Sequence, residues 1–99
     1  MLNIAAVTGF EWDDGNARKS TEKHQVGQAD AEQIFFNEPL IVGTDEKHSE
    51  TERRFHAIGH TDEGRLLHIT FTLKRDGALI RVISAKPMSR KERARYDKI

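Results

Sequence analysis

The sequence predicts an α+β fold with two N-terminal helices, a four-stranded antiparallel sheet and a short C-terminal helix. Three observations carry that prediction. Apolar residues at helical spacing are confined to the first 37 positions, alternation of period two runs from about 40 to 85, and a helix-capping signature follows at Ser89 and Glu92. An antiparallel meander with helices over one face is the layering such an order suggests.

Asp13 or Asp14 can cap a polar helix over about 14–24, whose N-terminal acids suit the helix dipole. Gly15 and the Ser20-Thr21 pair weaken it, so it must lean on packing. A second helix is expected over about 28–37. Ala31, Ile34 and Phe35 make its apolar stripe, and Pro39 lies just beyond its end. "LIVGT" at 40–44 reads as a short apolar strand, and "DEKHSETE" as a polar loop. In "RRFHAIGH", Phe55 and Ala57 take one face, and Arg54, His56 and Ile58 the other. "TDEG" makes a turn. In "RLLHITFTL", Leu67, Ile69, Phe71 and Leu73 oppose His68, Thr70 and Thr72. "KRDG" supplies a hairpin turn through the favoured Asp76-Gly77 pair. "ALIRVISA" is the last strand, with Ile80 and Val82 inward and Arg81 opposite. Ser89-Arg-Lys-Glu92 then opens a short basic helix.

A length of 99 residues suits one domain, taken here as residues 1–99, with one modest core. There is no cysteine, which excludes disulfides, a thiolate nucleophile and zinc–thiolate sites. "MLNIAAVTGFEWDD" lacks the basic and apolar regions of a signal peptide. No run approaches the roughly 20 apolar residues of a membrane span. The expected setting is therefore the cytoplasm, with no membrane partner. Formal net charge is zero but unevenly spread. Residues 1–73 hold 7 Lys+Arg against 13 Asp+Glu, a balance of −6, and residues 74–99 hold 9 against 3, a balance of +6. Such asymmetry suits contact with a polyanion or an acidic partner, although the two halves can also neutralise each other within the fold.

Arg81 stands among apolar residues, where a cation must meet solvent, a carboxylate or a phosphate. Arg65 opens another strand, and arginine forks match phosphate oxygens. His24 follows Lys23 at a helix end. There it can exchange protons near neutral pH beside a phosphate-holding lysine, or merely answer the helix dipole. His56 and His60, both at even positions, can share a strand face; no cysteine and no HExxH-type helix accompany the five histidines, so no metal site is expected. The loop from Asp45 to Arg54 offers Asp45, His48, Glu50 and Glu52 as general bases, or is only a polar connector. Trp12 can stack on a base or anchor packing.

Taken together, these pieces resemble the BrnT-type toxins, ribonucleases of type II toxin–antitoxin pairs with a RelE-like fold. The matching motifs run from about Phe10 to Tyr96. They are "FEWD" at 10–13, "KH" followed by Val26, "IFFNEPL" at 34–40, "D..HS..ERR" at 45–54, "IG" at 58–59, "GR" at 64–65, "IRVISA" at 80–85 and "ER..Y" at 92–96. The chain departs from the pattern at Asn16, Ser20, Gln25 (in place of the usual glycine of a KHG triplet) and Lys86.

The resemblance implies RNA cleavage without metal or other cofactor, through attack of the 2′-hydroxyl on the neighbouring phosphate. Under it, Arg65 and Arg81 would stabilise the phosphate, His24 would be acid or base, and Glu52 a weaker base candidate. Lys23, Lys86, Arg90 and Trp12 would contact RNA. The resemblance further implies a BrnA-like ribbon-helix-helix antitoxin as partner, with DNA reached only through it. A catalytically weak homologue that only docks an antitoxin is the alternative. A DNA-binding regulator acting alone fits less well, lacking both a helix-turn-helix signature and a strongly basic balance.

Overall fold

A computed structural model describes residues 3–48 and 52–99. Its elements are strand β1 (Gly9–Trp12), helix α1 (Asp14–His24), helix α2 (Gln28–Gln33) and strand β2 (Ile41–Asp45), then β3 (Arg54–His60), β4 (Leu66–Lys74), β5 (Leu79–Pro87) and helix α3 (Arg90–Tyr96). The expected α+β class, both N-terminal helices and the C-terminal helix are all present. The second helix is shorter than expected: it ends at Gln33 and continues as one 3-10 turn, Ile34–Phe36. Serines 49 and 89 differ in standing: Ser89 is part of α3's cap, whereas Ser49, Glu50 and Thr51 of the 45–54 loop lie outside the described residues.

The sheet corrects the expectation of four antiparallel strands. It has five, ordered β1-β5-β4-β3-β2, and β1 runs parallel to β5. Four residues contribute only Phe10 and Trp12 to the core side, too few to show a period. Their partner strand also begins some seventy positions later, with Gly9 opposite Leu79. Parallel pairing of so short a strand is a non-local outcome that no local pattern announces.

One face of the sheet carries Ala57, Leu67, Ile69, Phe71, Ile80, Val82 and Ala85, all fully buried against Val26, Ala31, Ile34 and Phe35. Phe71 lies between Phe35, edge-on at 5.2 Å, and Phe55, stacked at 5.4 Å. Apart from Ala85, the sheet residues among these are the inward positions that the alternation foretold. A register shift opposite Thr70 and Phe71 leaves Ile83 as an extra residue of β5, so Val82 and Ala85 both face the core. Beyond the end of β1, helix α1 takes over the edge of β5: the Ala85 amide donates to the buried Ser20 Oγ at 3.2 Å.

The second correction concerns α3, which does not join the other helices. It packs on the opposite sheet face, where Ile58, Met88 and Tyr96 form a small second core with Ile41 and Leu66. Tyr96 donates its hydroxyl to the Pro39 carbonyl at 2.5 Å. Ile58, alternating with Ala57 on β3, supplies the apolar floor that α3 needs.

Candidate active site

The face away from α1 and α2 is apolar only under α3. Strand register lays its remaining side chains out in rows. Asp45, Arg54, Thr72, Arg81 and Glu11 form the first row, Gly43, His56, Thr70 and Ser84 the second, and Ile41, Ile58, His68 and Lys86 the third. Successive rows are about 6.6 Å apart along the strands, and neighbouring strands about 4.8 Å apart.

In the first row Arg81 donates through Nη1 to Glu11 Oε1 at 2.6 Å, both side chains being partly exposed. Glu52 is hydrogen-bonded to Lys74 beside this row. That bond, more than the cations Lys74, Arg81 and Arg54 nearby, holds the Glu52 carboxyl below its ordinary range. Such a carboxylate stays ionised and is a poor proton acceptor near neutrality. The Thr72 hydroxyl, buried beneath these charges, has no hydrogen-bond partner among the described residues.

The second and third rows hold a continuous chain of titratable groups. Asp45 Oδ2 lies 2.9 Å from His56 Nε2, and His56 Nδ1 lies 2.8 Å from His68 Nε2. Glu92 Oε2, from α3, lies 2.8 Å from His68 Nδ1 as an ion-pair contact whose direction is poor for a hydrogen bond. Thr70 Oγ1 approaches His56 Nδ1 at 3.1 Å. Burial pushes His68 below the ordinary histidine range, with His56 and Lys86 acting the same way and Glu92 opposing them. Both rings line a cleft of about 250 Å³ between the sheet and α3, together with Gly43, Thr44, Glu92 and Arg95.

The four residues singled out for catalysis do not converge. Arg81 and Glu52 lie at one end of β4 and Arg65 at the other, about 23 Å away at strand rise over seven residues. Arg65 donates Nη1 to the Gln25 carbonyl at 2.6 Å and Nη2 to the His24 carbonyl at 3.1 Å. It thus satisfies the C-terminal end of α1, which leaves last-turn carbonyls unpaired. His24 joins Arg65 through its backbone. Lys23 is exposed beside it. Lys86 is exposed on the same face as the histidine pair, across from His68. Arg90 is the exposed first residue of α3. Trp12 is partly buried in the main core and donates Nε1–H to Glu32 Oε2 at 2.9 Å, tying β1 to α2.

His56 shares its face with His60 as expected, yet the ring it meets is His68. His60 accompanies the Glu38 and Thr61 carbonyls, each at 2.9 Å, which raise its proton affinity. A sequence signal for the His56–His68 pair existed. Both have the same parity on strands joined by one short turn, and hairpin pairing of His60 with Leu66 sets them on a diagonal two pairs apart, His56 opposite Thr70 and His68 opposite Ile58. Among the described residues no group of three His, Asp or Glu is placed to hold a metal ion.

A small mixed sheet with helices on both faces, and paired imidazoles among carboxylates and cations on one of them, define a compact α+β protein. The family model "Ribonuclease toxin, BrnT, of type II toxin-antitoxin system" matches residues 12–92, and the chain belongs to that family. The 1.1 Å crystal structure of the Brucella abortus ribonuclease toxin, BrnT, is similar in fold, with a TM-score of 0.62. It shares 16% sequence identity, and the match covers 85% of this chain and 100% of that one. No curated protein sequence matches this chain. Membership makes it a ribonuclease toxin of a type II system, for which an antitoxin is the partner. No helix among the described residues is long and apolar enough to cross a membrane.

Proposed function

We propose that this chain, acting as one domain, cleaves RNA without a metal ion. The 2′-hydroxyl attacks the adjacent phosphorus, leaving a 2′,3′-cyclic phosphate and a free 5′-hydroxyl. Family membership across residues 12–92 is the observation that carries the reading. The reaction requires a base for the 2′-hydroxyl, cations for the phosphorane and an acid for the departing oxygen. Histidine, arginine and lysine supply all three on the open sheet face.

Arg81 stabilises the phosphate in this reading, exchanging part of its bond to Glu11 for phosphate oxygens. Glu52 acts by holding Lys74, since its lowered proton affinity makes it unsuited to be the base. Lys86 and Arg90 extend the cationic track along the backbone of the RNA, and Lys23 contributes from the end of α1. Arg65 and His24 act at that far end, where Arg65 also secures the helix. Trp12 serves RNA through the stability of β1 rather than by stacking, because its ring packs in the core. A BrnA-like ribbon-helix-helix antitoxin neutralises the toxin and links the pair to DNA, and the action takes place in the cytoplasm.

The test is to induce the chain alone and map RNA ends, alongside Arg81→Ala. Growth arrest with new 5′-hydroxyl ends, lost in the Arg81→Ala strain, is the expected outcome. Normal growth with intact RNA, but a tight complex with the antitoxin, would leave the docking-only homologue as the correct description.

A further inference from the structure

Phosphate contacts by Arg81, Lys86 and Arg90 supply neither the acid nor the base of this reaction, whereas His56 and His68 bring two titratable rings together in the cleft. Its proton inventory follows from distance. A carboxylate oxygen within 2.9 Å of a ring nitrogen is met by N–H rather than by a lone pair, which puts a proton on His56 Nε2 facing Asp45 and one on His68 Nδ1 facing Glu92, the latter as an ion-pair contact of poor hydrogen-bond direction. The 2.8 Å contact between His56 Nδ1 and His68 Nε2 holds one more. Four ring nitrogens therefore carry three protons, which is one imidazolium and one imidazole. With two protons, lone pairs would face each other at one contact. With four, two N–H groups would collide between the rings. The side chain of His56 is 37% exposed and that of His68 11%, and burial of an imidazolium is disfavoured. The inner ring, His68, is thus the neutral one: it turns Nδ1–H toward Glu92 as an ion-pair contact and accepts at Nε2 from His56.

We infer that the cleft between the sheet and α3 is the site of RNA cleavage, with His68 Nε2 as the general base and His56 Nδ1–H as the general acid. This rests on the ribonuclease reading above. A ribose-phosphate unit entering the cleft opens the N–H···N bond and takes its two ends. The proton of the 2′-hydroxyl passes to His68 Nε2 as the O2′–P bond forms. The P–O5′ bond breaks as His56 gives its Nδ1 proton to O5′. The pair still holds three protons, now with His68 as the imidazolium beside Glu92 and His56 neutral beside Asp45. When the products leave, one proton crossing the same 2.8 Å contact restores the starting state. Asp45 and Glu92 are positioning residues that fix the two rings. Arg95 in the cleft lining and Lys86 across from His68 face the negative charge that grows on the phosphorane. The charged and titratable groups around the couple are Asp45 from β2, Arg54 from β3, Lys86 from β5, and Glu92 and Arg95 from α3.

Gly43 keeps the rim of the cleft open. It pairs with His56, and no atom lies within 4 Å of where its Cβ would stand. A large side chain there would enter the mouth of the cleft.

The experiment measures kcat/KM against pH on a short RNA for the purified full chain and for His56→Gln, His68→Gln and Gly43→Leu. We expect each histidine variant to lose about 10²–10⁴-fold. His68→Gln loses the acidic limb of the wild-type bell and His56→Gln the alkaline limb, while Gly43→Leu raises KM with little change in the profile. Wild-type cleavage with both histidine variants within threefold of it, and with both limbs intact, overturns this inference but not the ribonuclease reading. A wild-type chain that cuts no RNA overturns both. Should the histidine variants fail to fold, the wild-type chain decides through ring NMR with a 2′-deoxy oligonucleotide. Shifted His56 and His68 signals support the site, and unmoved signals for both rings overturn it.

Discussion

Gln25 ends α1 with φ 56° and ψ 38°, the left-handed conformation that glycine adopts without steric cost. This is the position where the family's KHG triplet has glycine, so the departure seen in the sequence has a backbone meaning. The glutamine side chain is exposed, and the backbone N–H of Gln25 closes the helix by donating to the Ser20 and Thr21 carbonyls. Gln25→Gly should therefore keep the cap, relieve the strain and raise unfolding stability by about 0.5–1 kcal/mol, read by denaturant titration. Two histidines carry opposite proton linkage. His60 is raised by its two carbonyl partners, so its stabilisation is complete below about pH 6.5 and is lost as pH climbs through its folded value. His68 is lowered by burial, so its stabilisation is present above about pH 6.5 and is lost as pH falls through its folded value. Ring NMR titration should place the His60 midpoint above, and the His68 midpoint below, that of an ordinary histidine. Coincident midpoints would refute both assignments of cause.

Among the elements, α3 depends on one carboxylate for two tasks. Glu92 Oε1 accepts from the Ser89 amide at 2.8 Å in the capping box, while Oε2 meets His68. A seven-residue helix is too short to stand alone, so this link and the Tyr96–Ile58 packing hold it to the sheet. The 3-10 turn after α2 depends on Gly59 instead. A Cβ on Gly59 would come within 3.1 Å of Ile34 Cβ and 3.4 Å of the Ile34 carbonyl oxygen. Neither atom is the end of a flexible side chain. Gly59→Ala should cost about 1–3 kcal/mol, measured as a lowered denaturation midpoint with unchanged m-value. The caps of α1 and α3, both hairpin partners and the alternation that sorts Phe55 and Ala57 from His56 and Ile58 were legible because each is a local preference. Strand β1 was not, since Phe10 and Trp12 gain their strand only by pairing with residues 79–82.

Across the whole molecule, the charge asymmetry becomes a surface. The basic end supplies Arg81, Lys86 and Arg90 to the open side of the sheet, and acidic Glu11 and Glu52 from the earlier chain neutralise part of it. Contacts from those three cations to single-stranded RNA should give a slope of about −2 for log affinity against log salt. Lys86→Ala should lower that slope's magnitude by about 0.7. A slope near zero by fluorescence anisotropy would exclude backbone contact as the basis of binding. The sequence by itself determined the α+β class, the order of the elements after β1, the caps of α1 and α3 and the inward-facing core, because propensity, capping and periodicity act over a few residues. Only the tertiary structure decided the parallel fifth strand, the side of the sheet that α3 covers, the separation of Arg65 from Arg81, and the meeting of His56 with His68. Those depend on strand register and packing between residues distant in the chain, where burial and hydrogen-bond pairing over the whole fold select one arrangement among many that local preferences allow.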